Sequence, residues 1–188
     1  MCAAGFEWLA AQRVCRPCAP GSFNAVAGGT CAVCASGSYS ILEAQTACLA
    51  CAAHEVSLLP RASETSCVCA AGAGGPSTCQ PCAHAFYAPE GLAASRRPAC
   101  LACPFFKNTT HIGSTVLQEC LCEPGHGDAA NNADPAAACA PCETGNYAAG
   151  GANVACRKCG FGAITEPALG ARAFEQCMCD ARIGLRES

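Results

Sequence analysis

The 21 cysteines of this 188-residue chain follow a fixed pattern that restricts its fold more than any other feature. Seven pairs have the form Cys-x-x-Cys: Cys15/Cys18, Cys31/Cys34, Cys48/Cys51, Cys79/Cys82, Cys100/Cys103, Cys139/Cys142 and Cys156/Cys159. Three pairs have the form Cys-x-Cys: Cys67/Cys69, Cys120/Cys122 and Cys177/Cys179. The Cys-x-Cys pairs recur after 53 and then 57 residues, which indicates an internal repeat.

Each predicted repeat ends at a Cys-x-Cys pair and contains two Cys-x-x-Cys pairs before it. The predicted boundaries are 1–69, 70–122 and 123–179, and residues 180–188 begin a further, truncated repeat. The first repeat carries one extra Cys-x-x-Cys loop and lacks its beginning, because Met1-Cys2 resembles the second half of a Cys-x-Cys pair. We therefore expect the sequence to be a piece of a longer protein.

The composition explains why the cysteines must hold the fold together. Alanine accounts for 41 residues, whereas Val, Ile, Leu, Met, Phe, Trp and Tyr together account for only 35. Alanine buries too little surface to offset the entropy of ordering the chain. Cysteine at about 11% is typical of a disulfide scaffold. We predict small disulfide-rich repeats that form an elongated rod of stapled loops and short β-hairpins, with little helix.

The residues between the cysteines repeat as well. An aromatic residue stands five places after a cysteine in four loops: Phe23, Tyr39, Tyr87 and Tyr147. Three of these loops have glycine at the third place, and the fourth departs from the pattern: Gly21, Gly37, Gly145 and Ala85. A hydroxyl residue stands six places into the loop before each Cys-x-Cys: Ser57, Thr109 and Thr165. The glycine allows the chain to turn tightly after a bridge.

The simplest disulfide scheme joins the second cysteine of each pair to the first cysteine of the next. It predicts ten bonds: Cys2–Cys15, Cys18–Cys31, Cys34–Cys48, Cys51–Cys67, Cys69–Cys79, Cys82–Cys100, Cys103–Cys120, Cys122–Cys139, Cys142–Cys156 and Cys159–Cys177. Cys179 is left unpaired. In this scheme each loop is expected to contact only adjacent loops.

A crossed scheme of the epidermal-growth-factor type is the alternative, and sequence alone does not decide between the two. It would join Cys82 to Cys103 and Cys100 to Cys120. The extra loop of the first repeat favours the serial scheme, because inserting one loop there leaves every other pairing unchanged.

Other uses of the cysteines fit the sequence less well. Paired Cys-x-x-Cys is also a zinc signal, but His54, His84, His111 and His126 never occur at the His-x3–5-His spacing. A redox dithiol needs a strand and a helix, and no segment shows a helical apolar period. The sequence places no Ser/His/Asp set or carboxylate pair at a spacing that indicates catalysis, so we expect no enzyme, no catalytic residue and no cofactor. Zinc binding remains an alternative.

Charge and hydropathy exclude two further classes of partner. The 11 basic residues and 14 acidic residues form no basic stripe, which argues against nucleic-acid binding. The isolated pair Arg96-Arg97 is expected to be solvated surface. No apolar run approaches the ~18 residues of a membrane span. Asn108 begins an Asn-Thr-Thr sequon, which predicts an exposed glycosylation site if the chain enters the secretory pathway.

The segments "CAPGSF", "CASGSY" and "CETGNY", each leading to Cys-x-x-Cys, precede a hydroxyl-bearing loop and Cys-x-Cys-x-x-Gly. This arrangement resembles the ephrin type A/B receptor-like cysteine-rich domain, within the growth-factor-receptor and EGF-like superfamily, over nearly the whole chain. The resemblance includes no kinase part.

The resemblance implies an extracellular or cell-surface segment of a longer protein, and structural or spacer repeats are the favoured function. Its expected partners are adjacent repeats of the same chain, and beyond them a surface filament or another extracellular protein. A ligand-binding receptor or adhesion ectodomain is the alternative.

Overall fold

A computed structural model describes residues 1–90, 97–130 and 133–179. The chain divides into two compact units, Met1–Pro81 with Glu90–Ala99, and Cys82–Pro89 with Cys100–Ser188. The truncated repeat predicted at 180–188 lies outside the described residues. The boundaries of the three complete repeats stay a prediction.

The regular structure of the first unit consists mainly of antiparallel two-stranded hairpins. They pair β1 (Phe6–Leu9) with β2 (Val14–Pro17), β3 (Ser22–Phe23) with β4 (Ala32–Val33), β5 (Ser38–Tyr39) with β6 (Leu49–Ala50), β7 (Glu55–Ser57) with β8 (Cys67–Cys69), and β9 (Ala73–Gly74) with β10 (Gln80–Pro81). Most strands have two residues, and β4, β6 and β10 each end directly before a bridged cysteine.

The second unit repeats the same construction. Its hairpins pair β11 (Phe86–Tyr87) with β12 (Leu101–Ala102), β13 (Lys107–Asn108) with β14 (Leu121–Cys122), β15 (His126–Gly127) with β16 (Ala140–Pro141), β17 (Asn146–Tyr147) with β18 (Arg157–Lys158), and β19 (Ala163–Thr165) with β20 (Cys177–Cys179). The aromatic residues that recur in the sequence stand in strands of both units.

Helix in the described residues is limited to single 3₁₀ turns that share one position in the repeat. Each ends directly before a Cys-x-Cys pair: Glu64–Ser66, Leu117–Glu119 and Phe174–Gln176. The prediction of short hairpins with little helix is confirmed.

Ten disulfides staple these hairpins in chain order. They join Cys2 to Cys15, Cys18 to Cys31, Cys34 to Cys48, Cys51 to Cys67, Cys69 to Cys79, Cys82 to Cys100, Cys103 to Cys120, Cys122 to Cys139, Cys142 to Cys156 and Cys159 to Cys177. The Cα atoms of bonded cysteines lie 5.3 to 5.9 Å apart. We number the loops that these bridges close from 1 to 10 in this order.

Sulfur and alanine form most of the buried interior. The buried apolar residues are Cys2, Cys18, Cys34, Cys67, Ala73, Cys79, Cys82, Ala88, Cys120, Cys122, Cys139, Cys142, Ala148 and Ala171. In the part of the chain that the structure describes, no Val, Ile, Leu or aromatic side chain is buried. The disulfides therefore replace a conventional hydrophobic core, as the composition requires.

Adjacent loops are joined by a recurring backbone hydrogen bond. An amide in one loop donates to the carbonyl of the cysteine that opens the preceding loop. This bond links Ala44 to Cys18 at 2.9 Å, Gly113 to Cys82 at 2.7 Å and Gly151 to Cys122 at 2.9 Å. The cysteine carbonyls in these bonds thereby gain a partner within the protein.

Contacts also reach the loop after next, so the expectation that each loop contacts only adjacent loops is wrong. A Cβ atom added to Gly21 in loop 2 would lie 2.1 Å from the carbonyl oxygen of Pro60 in loop 4. One added to Gly125 in loop 8 would lie 2.3 Å from the carbonyl oxygen of Gly170 in loop 10. The chain advances only two or three residues, at most ~10 Å, from one bridge to the next. This short spacing allows a loop to contact the loop after next.

Candidate functional site

The structure brings together every cysteine pair of the serial scheme and none of the crossed pairs. Cys179, the predicted unpaired cysteine, is exposed and has no bond among the described residues. Asn108 lies in β13 with a partly exposed side chain. Glycosylation at Asn108 stays a prediction.

Glu55 has a carboxylate that is buried beside two bridges of the first unit. Its side chain is 2% exposed, and Oε1 accepts Arg97 Nη2–H at 2.9 Å and Nε–H at 3.2 Å. Its Oε2 accepts the Ala52 amide at 3.2 Å. The expectation that Arg97 is solvated surface is therefore wrong, because its guanidinium neutralises a buried carboxylate.

The same carboxylate belongs to a group with the spacing of a metal site. Ligand atoms of Cys51, Glu55 and Cys67 all lie within 4.8 Å of one another. The two sulfurs are bonded to each other, whereas zinc binds thiolates. Zinc could therefore use this group only after the bridge is reduced.

Lys107 is a buried cation in the second unit, with 4% of its surface exposed. Its Nζ donates to the backbone oxygens of Asp134 and Pro135, each at 3.0 Å. Burial lowers the pKa of the ammonium, and the nearby carboxylates of Asp128 and Asp134 oppose that effect.

Glu55 and Lys107 occupy the same position in two successive repeats, and sequence reasoning missed both. Each stands four residues after the second cysteine of a Cys-x-x-Cys pair and opposes the last cysteine of a Cys-x-Cys pair. Ala163 holds this position opposite Cys179. A comparison of this sequence position across the three repeats would have revealed a charged residue in two of them. It would not have predicted that these charged side chains are buried.

The recurring hydroxyl residues are all buried, and the hydroxyl oxygens of two of them accept a backbone hydrogen bond. Ser57 Oγ accepts the Gly37 amide at 3.1 Å, and Thr165 Oγ1 accepts the Gly145 amide at 3.2 Å. Thr109 Oγ1 has no hydrogen-bond partner among the described residues. Its repeat is the one in which Ala85 replaces the glycine, so the departure in the sequence coincides with the missing bond.

An aromatic pair lies close to the sequon. The ring of Phe106 stacks on that of His126, with centroids 4.3 Å apart and an interplanar angle of 12°. His126 also lines an open groove of about 330 Å³ together with Asn108, Thr110 and Arg172. The groove is therefore lined both by the predicted glycosylation site and by the histidine ring that stacks on Phe106.

The other histidines form no ligand set with one another in the described residues. His84 Nδ1 lies 3.0 Å from the Thr109 carbonyl oxygen. His111 Nε2 lies 3.6 Å from a carboxylate oxygen of Glu119. His54 is exposed.

In the described ranges, no helix has the length and apolar character needed to cross a membrane. No curated protein matches the chain.

A family model described as "Tyrosine-protein kinase ephrin type A/B receptor-like" matches residues 71–120. The matched residues contain loop 6 and loop 7 with their bridges. This family is a cysteine-rich domain family and not a kinase domain, and the match indicates an extracellular, receptor-type segment. The resemblance of the chain to the ephrin type A/B receptor-like cysteine-rich domain is thus confirmed over residues 71–120.

Proposed function

We propose that the chain is a non-catalytic structural spacer within a larger secreted or cell-surface protein. The observation that carries this proposal is the serial order of the bridges, in which every bond closes a loop of its own and none encloses another bridge. Such an arrangement transmits tension along the chain through sulfur–sulfur bonds. Adjacent repeats of the same longer protein are the partners that a spacer of this kind requires.

The bridges set a limit on how far the segment can be stretched. A path from Cys2 to Cys177 that crosses each bridge contains only the short chain segments between bridges and ten Cα–Cα steps across the disulfides. Its fully extended length is roughly 140 Å. Without the bridges, the same residues would extend to roughly 600 Å. A spacer with intact bridges therefore keeps its length under load.

Single-molecule stretching of the full chain between terminal handles tests this function. We expect the extension from Cys2 to Cys177 to stop near 140 Å without reductant and to gain roughly 450 Å after reduction. Extension well beyond 140 Å in the oxidised protein would contradict the proposal. Elemental analysis provides a second test, because stoichiometric zinc would support the metal-binding alternative.

A ligand-binding or adhesion ectodomain is the second candidate, and exposed rings motivate it. Phe105 and Phe161 stand two residues after a cysteine in loops 7 and 10, and both are largely exposed. Rings that point outward from equivalent turns are available to a partner. If replacing both with serine abolishes binding of the chain to a cell surface, the ectodomain role is favoured over the spacer role.

A further inference from the structure

The side chain of Asn108 is arranged as a glycan acceptor. Its Oδ1 accepts the Thr109 amide at 2.8 Å. Its Nδ2, the atom that carries an N-linked sugar, has no hydrogen-bond partner among the described residues. Thr110, which supplies the hydroxyl of the sequon, is exposed. Nothing in the described contacts of Asn108 would be broken by a sugar on Nδ2.

Phe106, two residues before the sequon, has a backbone conformation that disfavours phenylalanine. Its φ is +59°, in the left-handed region where a bulky residue is an outlier. It stands at the third place after a cysteine, which is glycine in the loops that contain Gly21, Gly37 and Gly145. A strained residue that persists at a turn points to a use for its side chain.

The Phe106 ring does not serve the interior, because 47% of the residue is exposed. The ring stacks on His126, and His126 lines the same groove as Asn108. Aromatic faces are apolar and carry negative potential, so the C–H face of a pyranose packs well against them. The free amide nitrogen and the stacked rings lie in loops 7 and 8 of the second unit, and the groove that Asn108 lines extends to Arg172 in loop 10.

We propose that Asn108 carries an N-linked glycan whose first N-acetylglucosamine packs in this groove against the stacked Phe106–His126 pair. The proposal rests on the proposed extracellular function, since the sugar donor is a polyprenyl-diphosphate-linked oligosaccharide of the secretory pathway. Nδ2 of Asn108 forms a bond to the anomeric carbon of the donor. The bond from that carbon to the diphosphate oxygen breaks, the amide loses one proton, and the polyprenyl diphosphate leaves. No atom changes its oxidation state in this transfer.

The test uses the full chain, directed by a cleavable leader through the secretory pathway of a eukaryotic host. Intact-mass analysis before and after enzymatic deglycosylation should show one glycan on the wild type and none on Thr110→Ala. Nuclear magnetic resonance of the attached sugar then reports the packing. We expect ring-current shifts that move its first-residue proton signals upfield in the wild type and return them to free-glycan values in Phe106→Gly.

Phe106→Gly suits the backbone at this place, because glycine adopts positive φ without strain. Phe105→Ala is the matched control: Phe105 is the adjacent, 80% exposed ring, and its loss should leave the sugar shifts unchanged. His126→Ala should reduce the shifts, because the Phe106 ring loses its stacking partner.

An unmodified Asn108 in a secreted, fully bridged chain would overturn this inference and leave the spacer function standing. Identical sugar shifts in the wild type and Phe106→Gly would refute the packing in the same way. A chain that fails to be secreted, or that returns with reduced cysteines, would overturn both proposals.

Discussion

Arg97 Nη2 lies 2.9 Å from Oε1 of Glu55, and this ion pair joins loop 6 to loop 4 across the intervening loop. The carboxylate is almost completely buried, whereas the guanidinium is 28% exposed. The pair supplements the bridges, because it connects parts of the first unit that no disulfide joins directly.

Replacing Arg97 with alanine is expected to destabilise the first unit by about 3–5 kcal/mol, because the buried carboxylate of Glu55 would lose its counter-charge. Denaturant unfolding of the oxidised chain measures this loss. The double variant Glu55→Gln/Arg97→Ala should recover much of the stability, since no buried charge remains. Arg157→Ala, at an exposed residue of β18, is the control and should change the unfolding free energy by less than ~0.5 kcal/mol. Equal losses at Arg97 and Arg157 would refute a buried ion pair.

Because the Thr109 hydroxyl has no hydrogen-bond partner among the described residues, replacing Thr109 with valine should not destabilise the fold. Thr109→Val removes a buried oxygen that has no hydrogen-bond partner, so its effect should be neutral or stabilising. Thr165→Val removes the acceptor of the Gly145 amide and should cost about 1–3 kcal/mol. Both effects can be measured as changes in the unfolding free energy of the oxidised chain. A large loss at Thr109 would mean that its hydroxyl has a partner after all.

The titration of Lys107 should show the effect of burial directly. In a nuclear magnetic resonance titration, the Cε signal of Lys107 should have a midpoint below ~10.4, the pKa of an unperturbed lysine. The Asp128 carboxylate raises the pKa of Lys107, so Asp128→Asn should lower the midpoint further. Because the folded pKa lies below the unfolded one, this group favours folding increasingly as pH rises between the two values. An unchanged midpoint in Asp128→Asn would contradict the assigned contact.

The carboxyl group of Glu7 should affect the stability of the fold at acidic pH, whereas Lys107 affects it at basic pH. A hydrogen bond from Arg16, and secondly the Cys31 amide, lower the pKa of its carboxyl group. The resulting stability is present above the unfolded pKa of about 4.3 and is lost as pH falls through the folded value. Glu7→Gln should therefore reduce the acid dependence of the melting temperature below pH ~5. Arg16→Ala should do the same, since Arg16 is the larger cause; an unaltered acid dependence in both variants would disprove the assignment.

Much of the fold could be predicted from the cysteine pattern because a bridge restricts the chain more than a few apolar contacts do. The pairing of Cys69 with Cys79 belongs to the serial scheme, which the extra loop of the first repeat favours over the crossed one. The hairpins follow from glycine turns such as that at Gly21. The contact between Gly21 and Pro60 could not be predicted, because it depends on how far each loop rotates relative to the one before.

The candidate site was less predictable than the bridges. Asn108 was found because a sequon is a local pattern. Glu55 and Lys107 are isolated charges whose partners are distant in sequence, so no local signal marks their burial. The strain at Phe106 follows from its place in the turn, whereas its stacking on His126 depends on contact between two loops.

The contacts between loops predict which other loops lose protection when one bridge is removed. In the variant Cys18→Ser/Cys31→Ser, loop 2 is no longer closed, and a lost disulfide of this size costs about 2–4 kcal/mol. The Ala44 amide, which donates to the Cys18 carbonyl, should exchange with solvent much faster, and amides of loop 4 should follow through the Gly21–Pro60 contact. The Gly75 amide in loop 5, which donates to the Pro98 carbonyl at 3.0 Å, lies three loops away and should keep its protection. Hydrogen exchange of the oxidised variant measures all three sites. Loss of protection at Gly75 would show that the first unit unfolds as a single cooperative body, and retained protection in loop 4 would show that coupling stops at the adjacent loop.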